Sequence, residues 1–522
     1  MNEMKLPVIF WLVLTVLAQS SLSQADLVTG FKVERIEING ASVFEPSTLL
    51  SQSGLASGAV IYVEDVLAAV DRITQQYVDA GYVTSGAYLP QQDLADGVLR
   101  IEVKEGQLTS ILTSSDGRLK SASIERLLNI PRNKPLHLGD LQQAISRLER
   151  SELIETVRGE LKPGKSKGES ILALQVNEAD VFSVELAANN YRSPSVGEEQ
   201  GEISLHHGNL TGYGDALSLS AQQTDGVDAY SVRYAVPVNA LRSKLAVFYA
   251  KGETLVVEEP FDAIALESET DTSGLHWLTT WRESVSSQLS TTVGFEKKES
   301  LTSLLGLPFD FSPGSVNGLS EASVISAALE FSRRGQRDGW IIRVGYRSGS
   351  DDTNHRANDE DGDFSLLRVQ GRYLRQLGAG LERPWQLALM FTVQESSDTL
   401  PAFERFALGG HGSVRGYREN QLLKDSGELL SASLSFPIGS DGGGRDFVLT
   451  GSLFADYGRG ENSAVRLNVD QTGSLASVGL GVEAQLRGLT VRAEYAHQLK
   501  ERESLGDSLQ DDGIHIGVRY VF

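Results

Sequence analysis

The stretch that decides the fold is Gly513-Ile514-His515-Ile516-Gly517-Val518-Arg519-Tyr520-Val521-Phe522. Its even-numbered residues are aliphatic or aromatic, whereas its odd-numbered residues include a histidine, an arginine and two glycines. Successive side chains of a β-strand point to opposite faces of the sheet. The stretch therefore predicts a strand with one apolar face and one mixed face.

From about Val181 onward, about sixteen short segments of this kind follow one another, and long polar connections alternate with tight turns. In a lipid bilayer only helices and closed barrels satisfy the backbone, and alternating strands of about ten residues are typical of transmembrane barrels. We therefore predict a membrane β-barrel of about sixteen antiparallel strands over residues 181–522.

Composition limits the classes of protein that fit. The chain of 522 residues is too long for one compact soluble core, which favours several domains or one large barrel. Its 47 basic and 69 acidic residues give a net charge of −22, and this acidity argues against a nucleic-acid-binding groove, which requires a basic patch. The absence of cysteine excludes a disulfide framework and thiolate chemistry.

The N-terminal region has the features of a secretory signal peptide. Lys5 precedes an apolar run from Leu6 to Ala18, and Ser23-Gln24-Ala25 supplies the small residues of a cleavage site. A membrane anchor is the alternative interpretation, but about thirteen apolar residues fall short of the roughly twenty that a spanning helix needs. We predict a signal peptide over residues 1–25.

Between this segment and the barrel, the periodicity predicts two small α+β modules in tandem, over residues 31–105 and 106–178. Each would contain an open three-stranded sheet whose edge can accept an extended peptide by β-augmentation. The alternative is two soluble domains of unknown purpose. The strand-like segments are Phe31–Ile38, Val83–Leu89, Val98–Val103, Leu108–Thr113, Thr156–Leu161 and Ser170–Val176, and the helical ones are Val60–Ala80, Ala122–Leu128 and Leu138–Leu148.

Short motifs in both regions share a family pattern. They are Tyr77, Gly81-Tyr82, Pro90-Gln91 and Gly97 in the first module, and Val414-Arg415-Gly416-Tyr417 and Phe454-Ala455-Asp456-Tyr457-Gly458 in the barrel. With two modules ahead of a barrel, they resemble the outer-membrane transporters of two-partner secretion, the ShlB/FhaC/HecB or TpsB family of the Omp85 superfamily. The resemblance implies periplasmic POTRA modules that bind a TpsA-like partner exoprotein, and a barrel in the outer membrane of a Gram-negative bacterium that translocates it.

The tetrad Val414–Tyr417 lies in a long connection, Ser396 to Ser426, after about the eleventh strand. The resemblance implies that this loop folds into the lumen, where Arg415 pairs with Asp456. Alternation supports one part of this independently, because Asp456 shares a strand face with Phe454 and the polar face of a barrel strand faces the lumen. The alternative is an exposed glycine-rich turn with a solvated aspartate.

The last strand carries a further signal. Tyr520 and Phe522 lie on its predicted lipid-facing side, and a terminal aromatic residue there resembles the signal by which the barrel assembly machinery recognises outer-membrane barrels for insertion. Some members of the family also carry a plug helix ahead of the modules. Only Asp26 to Gly30 separates the expected cleavage site from the first strand, so we expect no plug helix here.

Two other patterns resemble ligand sites. Residues 159–166 match the phosphate-loop pattern, but such a loop precedes a helix, and a strand is expected here; we predict a hairpin and no nucleotide site. The acidic segment 351–363 lacks EF-hand spacing and indicates a solvated loop, with loose binding of divalent cations as the alternative. No catalytic, cofactor or metal-ligand constellation stands out, so we predict no enzyme activity, no cofactor and no metal.

The function predicted from these observations is a pore that recognises a partner exoprotein in the periplasm and translocates it to the cell surface or medium. An Omp85-type assembly factor for other barrels is the first alternative, since it would use similar modules and the same lumenal motif. A passive porin or surface-binding protein, with the modules as spacers, is the second.

Overall fold

The computed structural model describes residues 30–522 except 239–242, 311–314, 352, 354–362, 379, 382, 441–446, 464–469 and 503–505. The predicted signal peptide, the segment 26–29 considered for a plug helix and most of the acidic segment 351–363 lie outside the described residues. Across the described part of the chain, no helix is both long enough and apolar enough to cross a membrane.

The first part of the chain forms a small α+β sheet structure. Its elements are β1 (Phe31–Lys32), β2 (Arg35–Asn39), α1 (Pro46–Ser53), β3 (Val60–Ile61), α2 (Val63–Asp79), β4 (Gly86–Tyr88) and β5 (Val98–Lys104). The sheet order is β2-β5-β4, with β2 parallel and β4 antiparallel to β5. Leu49 of α1 and Val66, Ile73 and Tyr77 of α2 are buried in the core beside Ile101.

Two predictions for this region need correction. The predicted strand Phe31–Ile38 is two strands in different sheets, because Val33 bonds to the turn before β3: Val33 N donates to Ala59 O (3.1 Å) and Gly58 N donates to Val33 O (2.7 Å). Helix α1 is missing from the predicted elements. It has 8 residues and buries only Leu49 and Ser53, so its sequence carries little helical periodicity.

Glu105 joins three segments of this first sheet structure. Its carboxylate accepts hydrogen bonds from Ser42 N (2.6 Å), Val43 N (2.8 Å) and the Tyr77 hydroxyl (2.8 Å), and the Ser42 hydroxyl contacts it as well. Burial by itself would raise the pKa of Glu105, but these hydrogen bonds hold it below its ordinary value of 4.5. Burial, together with the bond to Glu105, raises the pKa of Tyr77 above its usual range.

A second three-stranded sheet follows. Its elements are β6 (Gln107–Ser115), α3 (Ser121–Leu128), α4 (Leu138–Glu149), β7 (Ile154–Pro163) and β8 (Glu169–Glu178), and the sheet order is β6-β8-β7. The phosphate-loop pattern at 159–166 falls on the end of β7 and the turn into β8, where Gly164 N donates to Glu169 O (2.7 Å). The predicted hairpin at this pattern is confirmed.

The remaining elements are β9 (Phe182–Asn189), β10 (Gln200–His207), β11 (Ala216–Gln223), β12 (Val227–Pro237), β13 (Ser243–Leu255), β14 (Leu266–Glu283), β15 (Ser287–Leu304), β16 (Leu307–Pro308), β17 (Leu319–Arg334), β18 (Asp338–Asp351), β19 (Phe364–Leu377), β20 (Trp385–Glu395), β21 (Phe406–Leu408), β22 (Leu422–Lys424), β23 (Ser426–Ser440), β24 (Phe447–Glu461), β25 (Thr472–Leu486), β26 (Leu489–Gln498) and β27 (Ile514–Val521). Within the described residues, sixteen of these strands close an antiparallel barrel in which β27 pairs with β9. The short β16 only extends β15, and β21 and β22 form a separate ribbon. The predicted barrel is confirmed.

The barrel wall has the two faces that the alternation predicts. In β27, Ile516 is 40 % exposed and its neighbour His515 is fully buried. In β24, Leu453 is 52 % exposed, whereas Phe454 and Asp456 are buried. Because the barrel is closed, the face opposite the exposed apolar one is its interior.

We expect Glu105→Gln to loosen the first sheet structure, because the amide would turn a donor toward groups that themselves donate. Each unsatisfied buried group costs about 1–3 kcal/mol. Hydrogen exchange of α2, followed by mass spectrometry on the full chain, should accelerate relative to wild type. Glu102→Gln, on the strand that Glu105 directly follows but with a single long bond from Asn39 (3.3 Å), is the control and should leave exchange unchanged.

The stabilisation by Glu105 should also depend on pH. Since its pKa is lowered in the folded state from 4.5, the contribution is fully present above about pH 4.5 and is lost as the pH falls below that value. Equal acid sensitivity of α2 exchange in wild type and Glu105→Gln would contradict this assignment.

Candidate functional site

The connection between β20 and β23, residues 396–425, packs against the interior face of the barrel. It follows the eleventh barrel strand, and its two ends enclose the ribbon β21–β22. Its apolar residues form a buried cluster with side chains of the wall. The cluster consists of Phe406, Leu408, Val414 and Tyr417 from the connection, Leu429 from β23 and Leu475 from β25. We call this segment the inner loop; Ser426, the last residue of the predicted loop, is the first residue of β23.

Arg415 of the inner loop makes a bidentate ion pair with Asp456 of β24. Its Nε lies 2.8 Å from Asp456 Oδ2 and its Nη2 lies 2.9 Å from Asp456 Oδ1, while its backbone N–H also donates to Oδ2 (3.2 Å). The Arg415 side chain is 12 % exposed and that of Asp456 is 0 % exposed. Paired charges with this geometry fix orientation as well as distance.

The remaining faces of the Arg415 guanidinium are also occupied. Nη1 donates to Glu494 of β26 (3.0 Å), and Nη2 donates to Ser433 of β23 (3.2 Å). The guanidinium carbon lies 3.4 Å from the centroid of the Phe454 ring, which places the cation over an aromatic face. The wall thus supplies two carboxylates, the hydroxyls of Ser431 and Ser433 and one aromatic ring, and these groups compensate the buried charge of Arg415.

Gly416 and Gly458 allow the loop and the wall to approach closely. Gly416 has φ +86°, and a Cβ added to it would lie 2.7 Å from Ala496 Cβ. A Cβ on Gly458 would lie 2.6 Å from a methyl group of Leu408. Both positions therefore require glycine, the first for its conformation and both for space.

The groups on either side of Arg415 are anchored too. Gly416 N donates to His515 Nε2 (3.1 Å), and Gln498 Nε2 donates to Gly416 O (2.6 Å). The Tyr417 hydroxyl lies 2.8 Å from the carbonyl oxygens of both Ala476 and Lys500. Val414, Arg415, Gly416, Tyr417, Phe454, Asp456 and Gly458, the residues singled out in the sequence, are thus brought together in one place.

The model of the haemolysin secretion/activation protein family ShlB/FhaC/HecB matches residues 168–484, more than half of the chain. The chain belongs to this family. A second model, the ShlB-type POTRA domain, matches residues 31–106.

Individual relatives of this ShlB-family protein are distant in sequence but similar over most of their length. The heme/hemopexin transporter protein HuxB of Haemophilus influenzae (strain 86-028NP) is 22 % identical over 454 residues, covering 81 % of this chain and 75 % of HuxB. The hemolysin transporter protein ShlB of Serratia marcescens is 23 % identical over 478 residues, covering 87 % and 79 %. The solved structure of CdiB from Escherichia coli shares the fold, with a TM-score of 0.67, 19 % identity and coverage of 97 % of this chain and 93 % of CdiB.

Membership settles the class and location that the sequence predicts. Members of the ShlB family are transporters of two-partner secretion with a barrel in the outer membrane and POTRA modules in the periplasm. This chain is therefore an outer-membrane secretion transporter, and the ion pair of Arg415 and Asp456 lies inside its barrel.

Several residues of the site are missing from the sequence prediction. Glu494 shares Arg415 with Asp456 and lies between Ala493 and Tyr495 in an alternating strand. The alternation is enough to predict that Glu494 faces inward, but it does not identify Arg415 as its partner. His515, on the inward face of the opening stretch, gave no sign that it would accept from the inner loop.

A second anchor lies at the other end of the inner loop. Glu404, in a 3₁₀ turn, lies 2.8 Å from Lys298 Nζ of β15 and 2.9 Å from Arg347 Nη2 of β18. Arg347 also lies 2.8 Å from Glu296. The fully buried Gln394 donates to the carbonyl oxygens of Glu404 and Asp425, 3.0 Å each.

A third contact joins the inner loop to other connections of the barrel. Arg418 lies 2.6 Å from Asp511, which lies between β26 and β27, and 2.8 Å from Glu258, which lies between β13 and β14. Charged side chains therefore hold the inner loop at Glu404, at Arg415 and at Arg418.

The predicted module residues do not join this site; they build the first sheet structure of the ShlB-family chain. Tyr77 is buried, and its ring packs edge-on against Tyr82, with centroids 6.3 Å apart. Gly81 and Gly97 take positive φ angles of +89° and +69°. At Pro90-Gln91, the residue with a structural bond is the next one, Gln92.

Gln92 completes the edge of the first sheet where β4 has ended. Its side-chain amide donates to Arg100 O and its carbonyl accepts from Arg100 N, 2.8 Å each, so that one side chain replaces a pair of strand bonds. Gln91 is exposed and makes no such bond among the described residues.

Tyr520 and Phe522 lie on the outer face of the barrel. Tyr520 is 39 % and Phe522 is 66 % exposed, and their rings pack edge-on at 4.5 Å. In the described part of the chain, no cluster of three or more histidine, aspartate or glutamate side chains has a geometry suited to a metal ion.

We expect Gly416→Ala to unseat the inner loop, since an alanine there combines left-handed strain with overlap of Ala496, at a cost of roughly 2–5 kcal/mol. Single-channel recordings in planar bilayers should show more frequent and larger openings than in wild type. The matched control is Gly412→Ala in the same loop, where an added Cβ meets nothing within 4 Å. Identical recordings from the two variants would refute the tight seat at Gly416.

Proposed function

We propose that this transporter binds an unfolded partner exoprotein through its periplasmic modules, passes it through the barrel past the inner loop and releases it at the cell surface. The observation that carries the proposal is the enclosure of Arg415 by Asp456, Glu494 and Phe454. A segment seated inside the pore by a specific charged lock is suited to act as a gate. Its release would open the path and its return would close it.

We propose that residues 106–178 form a second POTRA module behind the one at 31–105. The two sheets support this because they share both element order and strand order. Each consists of strand, helix, helix, strand and strand, and in each the third strand of this set lies between the other two. Tandem modules would give the partner two successive binding surfaces.

The partner would bind by adding a strand to an exposed sheet edge. Strand β7 suits this role better than β4, because it is an edge strand of 10 residues and most of its side chains are exposed. Strand β4 has 3 residues, and its Ala87 N–H is already bonded to Thr74 (3.0 Å). We propose β7 as the principal edge for the extended partner.

The export step itself would need no catalysis. We propose that the protein has no enzyme activity, binds no nucleotide, nucleic acid or cofactor, and that folding of the partner outside the cell drives transport. The outward Tyr520 and Phe522 would contact outer-membrane lipid and serve as the mark read by the barrel assembly machinery during insertion. Both rings lie on the exposed apolar face, and this supports the assignment.

We expect Arg415→Ala to reduce secretion of the partner by roughly tenfold or more, since removing one member of a buried ion pair costs about 3–5 kcal/mol. The exoprotein is identified as the protein that disappears from the medium when this gene is deleted, and its amount in the medium measures secretion. The amount of folded barrel is measured by heat-modifiable migration of outer-membrane extracts on gels. Arg415→Lys should recover little, because lysine lacks the planar fork.

The control for this experiment is Arg459→Ala, which removes an exposed arginine from the outer face of the same strand as Asp456. Normal secretion by Arg415→Ala would refute the gate. Global loss of other barrels on depletion of the protein would instead favour an assembly factor, and solute uptake that persists without residues 31–178 would favour a passive porin.

We expect the exoprotein to contact β7 during export. Since the chain has no cysteine, Arg158→Cys places a single thiol on this strand for a photoactivatable cross-linker. Adducts with the secreted partner should form in cells, whereas Lys165→Cys, in the turn just beyond β7, should give few. Equal yields at both positions would argue against strand addition at this edge.

A further inference from the structure

The inner wall around β12, β13, β18 and β19 carries more positive charge than its carboxylates balance. A cavity of about 570 Å³ lies along this wall. In a chain with a net charge of −22, a basic interior surface is not explained by composition. The cations that line the cavity are Arg233, Lys244, Arg343, Arg347 and Arg368, and the carboxylates that line it are Glu296 and Glu330.

Both carboxylates of the cavity are already paired. Glu296 lies 2.8 Å from Arg347, and Glu330 lies 3.6 Å from Arg343. Arg233, Lys244 and Arg368 have no carboxylate within 4.0 Å among the described residues. Arg368 instead donates to the amide oxygen of Gln394 (2.9 Å), and Arg233 lies 3.5 Å from His276.

These three cations point into the barrel. Val232 and Leu367, the sequence neighbours of Arg233 and Arg368, lie on the outer face and are 40 % and 43 % exposed. Lys244 pairs in register with Pro237 of β12 and Leu278 of β14, near the barrel end at which β9 begins. A narrow cleft lined by one sign of charge concentrates its electric field on whatever passes.

The inner loop itself shows how this wall binds a carboxylate. Glu404 is a carboxylate on a peptide segment that enters the lumen, and it binds Lys298 (2.8 Å) and Arg347 (2.9 Å) while only 3 % of it remains exposed. The same wall continues to Arg368, Arg233 and Lys244, where the corresponding acidic side chains are absent from the described residues. The loop fills one end of a longer basic surface.

We propose that this basic wall, formed by Arg233, Lys244, Arg347 and Arg368, is a binding track for acidic segments of the exported polypeptide in extended form. The inference rests on the proposed function and names the chemistry of its substrate. An acidic residue that enters from the end where β9 begins meets Lys244 first. It reaches Arg347 at the seat of Glu404, where it competes with the inner loop for the same cation.

The test uses the full-length pore in planar bilayers and two synthetic probes, peptides that repeat Gly-Ser-Asp or Gly-Ser-Lys. The variant Arg233→Gln/Lys244→Gln/Arg368→Gln removes three positive charges from the inner wall. The matched control Lys297→Gln/Arg333→Gln/Arg375→Gln removes three from the outer face of β15, β17 and β19. Heat-modifiable migration on gels verifies the barrel in each case.

The acidic peptide should block wild type and the outer-face control, and the inner-wall variant should lose roughly tenfold in the frequency of block. The reversal potential in a salt gradient should shift toward cation selectivity in the inner-wall variant alone. Unchanged block and reversal potential in that variant, or equal block of wild type by both peptides, would overturn the track.

Because Arg368 also bonds to the buried Gln394, the double variant Arg233→Gln/Lys244→Gln keeps that contact and should shift both measurements in the same direction. Failure of the track is separable from failure of the gate, because peptide block requires no native partner. Normal block by the acidic peptide in inner-wall variants, with secretion lost in Arg415→Ala, refutes the track and leaves the proposed function standing.

Discussion

Every strand of this barrel must satisfy its backbone against two neighbours, because the surrounding lipid offers no hydrogen bonds. Closure between β27 and β9 removes the last free edge, and closure fixes the fate of each side chain. Alternate residues face outward, and those within the hydrocarbon layer must be apolar, as Ile516 and Leu453 are. The residues between them face an enclosed interior, so charged side chains, which are unfavourable in lipid, lie on the inner face of the wall.

The inner loop forms ion pairs with these charged side chains. A loop entering an apolar tube would be held only by packing, whereas this one presents ions to ions: Arg415 to Asp456 and Glu494, and Glu404 to Lys298 and Arg347. The signs are complementary on both sides. Two glycines allow the loop and the wall to approach closely enough for these ion pairs, because Gly416 and Gly458 lack the Cβ atoms that would hold loop and wall apart.

Alternation and resemblance were enough to predict the barrel, its inward Asp456 and the pairing of that carboxylate with Arg415. They were not enough for Glu404, which lies in a short turn without periodicity and binds residues 106 and 57 positions earlier in the chain. Lys298 and Arg347 are on strands separated by β17, so only the register of three strands brings them together. Helix α1 and the hydrogen bonds of Gln92 are absent from the sequence prediction for a related reason, because short or irregular segments show no periodicity.

A gate held by charge differs from one held by packing in how it can be released. Pulling Glu404 from Arg347 and Lys298 would leave these two cations to share the single carboxylate of Glu296, which is costly unless water or another anion replaces Glu404. On the proposed mechanism the exported chain supplies that anion, because its acidic residues arrive along Lys244, Arg233 and Arg368. Exchange of one carboxylate for another keeps the wall neutralised throughout, so the barrier to opening is set by the geometry of the exchange and not by the full energy of the ion pair. The lock at Arg415, where two carboxylates surround one cation, offers an anionic substrate no such exchange. Opening would therefore begin with the release of Glu404, and the ion pair of Arg415 would be released after it.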